Sequence, residues 1–84
     1  MKHASQPRLE ELESLLAELR TIEGITEKKL GVFYRKSRAF LHFHEHGAET
    51  FADVRLSGAA FERMLCTTKQ DQTALVKAVR SALR

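Results

Sequence analysis

Leu9, Leu12, Leu16, Leu19 and Ile22 recur at spacings of three and four, Leu15 widens the stripe, and charged residues fill most positions between. This period predicts an amphipathic helix over residues 7–23. Pro7 suits the first turn, Ser5 or Gln6 can cap it, and Gly24 can end it in a left-handed conformation. After Gly24 the period changes from 3.6 to 2. Residues 30–35, 38–46 and 49–56 are rich in Phe, Val, Tyr, Leu and Ala and read as strands.

A two-residue loop at Gly47-Ala48 sets the register of the second hairpin. It pairs His46 with Glu49, His44 with Phe51, His42 with Asp53 and Phe40 with Arg55. The other side pairs Phe43 with Ala52, Leu41 with Val54 and Ala39 with Leu56. That side is nearly all apolar, and a one-residue slip would mix the faces. A turn at Lys36-Ser37 sets Tyr34 opposite Ala39, Val32 opposite Leu41 and Leu30 opposite Phe43, which extends the same face. Ser57 can cap a short helix over residues 57–66 with Phe61, Met64 and Leu65 on one side. That helix is favoured over an edge strand from Phe61 to Thr67. Thr68 and Asp71 form a capping-box pattern ahead of a final helix carrying Leu75, Val76, Val79, Ala82 and Leu83. The expected fold is therefore α+β, one domain over residues 1–84. An N-terminal helix leads into a three-stranded antiparallel meander, a short segment and a C-terminal helix, with both long helices on one sheet face.

Composition sharpens this picture. Of 84 residues, 43% are hydrophobic and 30% charged, too apolar a mix for a disordered chain. No apolar run approaches the roughly 18 residues that cross a bilayer. The N-terminal residues lead into a charged helix rather than an apolar signal segment, and the sole cysteine, Cys66, cannot form an internal disulfide. These features set the expectation of a cytoplasmic, bacterial-type protein without a membrane partner. The net charge of +3 is uneven: residues 1–23 carry −2 and residues 24–84 carry +5.

Three of the four histidines, His42, His44 and His46, alternate along one strand and share its polar face. His42 and His44 are spaced to converge on one divalent metal, with Asp53 as a third ligand across the hairpin. Two nitrogens, one carboxylate and an open position suit zinc or non-haem iron. The competing reading is a half-exposed strand face in which His42 pairs with Asp53 and His46 with Glu49. The same face is expected to carry Phe33, Phe40 and Phe51, with Arg55 beside Phe40. So apolar a face calls for a cover: the 57–66 segment, a second copy of the chain in a homodimer, or a small ligand. A further cluster, Arg35, Lys36 and Arg38 with Lys28 and Lys29, could contact nucleic-acid phosphates, with Tyr34 or Phe33 stacking on a base. No Gly-x-Ser-x-Gly elbow, Cys-x-x-Cys pair or phosphate-cradling glycine loop occurs, so no catalytic residue is assigned and the chain reads as a binding or interaction module rather than an enzyme. Cys66 reads as a small semi-buried residue.

The stretch from Glu23 to Leu56, about 40% of the chain, resembles small bacterial domains of the luciferase-like family. The matching residues are Gly24, His42, His44, Ala52 and Asp53. Glu23 stands where that family commonly has proline. The resemblance implies an α+β fold and draws attention to His42, His44 and Asp53 without assigning them a role.

Overall fold

The computed structural model describes residues 2–84. In chain order the elements are β1 (Lys2–His3), α1 (Gln6–Glu11), α2 (Glu13–Arg20), β2 (Thr26–Lys29), β3 (Val32–Arg35), β4 (Arg38–His46), β5 (Glu49–Val54), β6 (Glu62–Leu65) and α3 (Lys69–Ala82). The α+β class holds. The sheet is antiparallel and larger than the meander expected: among the described residues it has six strands, ordered β2-β3-β4-β5-β6, with β1 on β4.

Leu15, Leu16 and Leu19 of α2 and Leu75, Val76 and Val79 of α3 meet Leu41, Phe43, Ala52 and Val54 in one buried core. Alternation then leaves His42, His44, Phe51 and Asp53 on the opposite sheet face. The β4–β5 register is the expected one from His46↔Glu49 through Leu41↔Val54. Only Gly47 in that loop takes positive φ, at +60°, as a turn with glycine first requires. The capping box forms as read, with Thr68 Oγ1 accepting from the Asp71 N–H and Asp71 Oδ2 from the Thr68 N–H.

Three expectations are corrected. The first helix breaks at Leu12 and ends at Arg20 rather than residue 23. Residues 62–65 form the edge strand β6, not a helix: Phe51↔Leu65 and Asp53↔Arg63 pair across it. The β3–β4 register shifts between Phe33 and Tyr34, so Tyr34 faces Ala39 as expected but Phe33, not Val32, faces Leu41. Phe40 is the extra residue, the signature of a β-bulge on β4. The shift sends Phe33 into the core, fully buried, and leaves Leu30 in a turn, 41% exposed.

Gly31 joins β2 to β3 at φ +75°, and a Cβ there would sit 2.6 Å from Leu9 Cδ2. The leucine tip can yield; the left-handed backbone cannot. Gly31→Ala is expected to cost about 1–2 kcal/mol, read as a lowered urea midpoint with an unchanged slope.

Candidate functional site

Two short strands share one edge of β4. Near the turn, β3 pairs with it as far as Leu41; at the far end β1 pairs Lys2 with Glu45 and His3 with His44. The Ala4 N–H donates to the Phe43 carbonyl at 3.1 Å, continuing the β1 attachment. Ser5 then caps α1, its Oγ accepting from the Arg8 N–H, while its own N–H donates to Glu45 Oε1. Arg8 reaches back to the Gly47 and Glu49 carbonyls and Thr50 Oγ1. The N-terminal segment is thus tied to the β4–β5 hairpin at several points, and His3 is delivered beside His42 and His44.

The three imidazoles form a cluster. The His3 and His44 rings stack at 4.6 Å, His42 and His44 meet edge-on at 5.0 Å, and His3 and His42 lie 5.7 Å apart. One ligand-capable nitrogen from each lies within 4.8 Å of the others. Tetrahedral zinc, at about 2.0–2.1 Å from each nitrogen, needs separations of about 3.4 Å. Small ring movements therefore close the site. Phe61 packs edge-on against His42 at 4.8 Å, so part of the 57–66 segment does cover this face.

Asp53 is placed differently from the expected third ligand. Its carboxylate is held bidentately by Arg63, at 2.8 and 3.0 Å, and its Oδ2 lies 3.2 Å from His44 Nε2. The histidine it approaches is His44, although its Cα partner is His42. That contact favours the tautomer with hydrogen on Nε2 and leaves a lone pair on Nδ1. The Nδ1 atoms of both His42 and His44 are buried without a hydrogen-bond partner among the described residues. Such an atom costs about 1–3 kcal/mol when left unsatisfied. Burial, and then the neighbouring His44, push the His42 pKa below the ordinary histidine range, which keeps that ring in its neutral, ligating form.

A cleft of about 350 Å³ opens along the β4 edge between β1 and β3, and His3 and His42 stand on its wall. Leu9, Leu30, Val32 and Phe43 make the lining mainly apolar, with Lys29 also present. Its size is that of a small-molecule pocket.

The remaining expected site residues divide. Phe51 is half-buried on the histidine face. Phe33 lies in the core, and Phe40, 2% exposed, belongs to the same cluster; neither ring serves the histidine face. Arg55 lies over Phe61 at 4.0 Å. Arg35, Lys36 and Arg38 border a separate depression at the β3–β4 turn. Cys66 is wholly buried, and desolvation pushes its thiol up to about 12, which removes it as a nucleophile at neutral pH. The residue that sequence reasoning missed is His3. It lies 39 positions before His42 in a two-residue strand, too short to show any period.

Several carboxylates share one pH consequence. Arg63, against the cost of burial, holds Asp53 below its usual range. Burial raises Glu27, but hydrogen bonds from Arg20 and the Gly31 N–H bring it below its usual range. Backbone N–H donors lower Glu45 and Asp71. Each group binds a proton more readily in the unfolded chain. The carboxylate share of stability should therefore be fully present above about pH 5 and fall progressively below about pH 4.5, after His42, whose pKa is also lowered, has begun to lose its share below about pH 6.5. Thermal melts across that range check this; a Tm constant down to about pH 3 would contradict it.

No family model, curated protein or solved structure matches this chain.

Proposed function

We propose that this protein binds a divalent transition metal, zinc foremost, through His3, His42 and His44. The observation that carries this reading is the pair of buried, unpartnered Nδ1 atoms on His42 and His44, within a cluster that His3 completes. Imidazole ligands suit zinc, copper, nickel and iron, and three ligands leave a coordination position for water or a small ligand. Two of the three ligands, His3 and His42, also line the apolar cleft, which supports a role in holding a small molecule beside the metal. Asp53, clamped by Arg63, would act behind His44, fixing its tautomer as carboxylates behind metal-bound histidines commonly do.

An alternative is a protein-interaction surface, as a homodimer. It is supported by Leu65, 41% exposed and opposite Phe51 on the edge strand. It accounts for neither unpartnered nitrogen, so the metal reading is preferred. The likeness of Glu23–Leu56 to luciferase-like domains, which draws attention to His42, His44 and Asp53, agrees with this reading.

Isothermal titration of the protein with zinc near neutral pH tests the reading. Saturation at one equivalent is expected, lost in His42→Ala. The absence of saturable heat in the folded wild type would refute it. Acidification should release the metal as protons compete for the imidazoles.

A further inference from the structure

The second depression of the surface shares no lining residue with the histidine cleft. It has a volume of about 170 Å³, and Arg35, Lys36, Arg38 and Arg55 line it together with Ala39 and Phe40. These cations come from three places: the end of β3, the β3–β4 turn with the start of β4, and the residue after β5. Sequence proximity explains the first three; the β4–β5 pairing adds Arg55, whose N–H donates to the Phe40 carbonyl.

Among the described residues, no carboxylate lines the depression. Residues 28–44 contain no acidic residue at all. Among the described residues, none of the four cations forms an ion pair, whereas Arg8, Arg20 and Arg63 all do. Two of the four are instead held by main-chain oxygens. Arg55 Nε donates to the Ala39 carbonyl at 2.8 Å and its Nη1 to the Ala59 carbonyl, with Phe61 beneath the guanidinium. Arg38 Nη1 donates to the Gly58 carbonyl at 3.2 Å. These bonds fix two guanidinium groups and leave several N–H donors of each unused. Four like charges around one small hollow repel, and a bound anion relieves that repulsion.

We infer that this depression binds a phosphate group. Planar guanidinium forks match phosphate oxygens bidentately, and several cations suit the nearly two negative charges of a free phosphate or monoester, while a nucleic acid brings one charge on each successive phosphodiester. The volume suits one such group rather than a larger ligand seated inside. The phosphate can belong to a free phosphate or monoester, or to the backbone of a single-stranded nucleic acid.

The test is an amide NMR titration of the whole chain at low salt. One arm uses inorganic phosphate, a second a short single-stranded oligonucleotide, and a third sodium chloride at matched ionic strength. Saturable shifts are expected at residues 35–39 and 55–59 in at least one phosphate arm. Saturation with inorganic phosphate identifies a monoester-type site; a response to the oligonucleotide alone identifies a phosphodiester. Lys36 in the turn and Arg38 at the first position of β4 are both exposed, so the doubly substituted K36Q/R38Q protein should keep its remaining spectrum. Its affinity should fall by about tenfold or more. Shifts that sodium chloride reproduces, shifts retained in K36Q/R38Q, or no saturable response in either phosphate arm would overturn the inference.

Discussion

Replacing Phe33 with alanine is expected to destabilise the fold by about 3–5 kcal/mol, whereas Leu30→Ala should change stability by less than about 0.5 kcal/mol. The contrast follows from the bulge at Phe40. A regular β3–β4 hairpin would put Leu30, Val32 and Tyr34 over the helices and turn Phe33 outward. With the register shifted, Phe33 pairs with Leu41 and enters the core, where no part of it meets solvent, while Leu30 sits in the turn before β3. Truncating a buried phenylalanine loses both its transfer free energy and the packing of the walls it leaves. A chain of this length has about 4–13 kcal/mol of total stability. Phe33→Ala therefore removes a large share of it, and partial unfolding at room temperature is an expected observation. Urea unfolding of the two variants checks this. Equal losses at both positions would contradict the shifted register.

The second large effect is on metal affinity. His44→Ala should weaken zinc binding by more than about 100-fold, and Asp53→Asn by about 10–100-fold. His44 is central to the cluster: it stacks on His3, meets His42 edge-on, and has Asp53 at its Nε2. Its loss leaves two imidazoles, neither fixed by a carboxylate. Asparagine at position 53 keeps the shape but gives up the charge that Arg63 holds in place and that favours hydrogen on Nε2. The His44 ring is then free to present either tautomer. Competition against a chromogenic chelator measures both losses. Asp53→Asn with wild-type affinity would remove Asp53 from any part in the site.

What was legible in the sequence was the part governed by period and turn chemistry. Gly47 at a two-residue loop and the alternation on either side settled six β4–β5 pairs, because an apolar face tolerates no slip. The leucine stripe and the Thr68–Asp71 cap marked the helical segments for the same reason. The bulge was not legible, since inserting Phe40 costs nothing that hydrophobic pattern records. Strand β2 was hidden because its sequence, Thr26-Glu27-Lys28-Lys29, is that of a charged edge. Strand β6 was hidden because Glu62-Arg63-Met64-Leu65 fits a helix face equally well until Arg63 is seen beside Asp53. The candidate site divides along the same line. His42 and His44 are local and readable. His3 joins them only through a long-range strand pairing, and the contacts of Asp53 with Arg63 and His44 rest on β6, which the sequence pattern did not show.

Metal binding at the three histidines is tested by histidine-ring nitrogen NMR of the wild-type protein with and without one equivalent of zinc. Large shifts of the Nδ1 resonances of His42 and His44 are expected, with a matching change at His3. His44 should keep hydrogen on Nε2, facing Asp53, with His46 unaffected. Ring resonances that do not move, or that move equally at His46, would contradict a metal site at His3, His42 and His44.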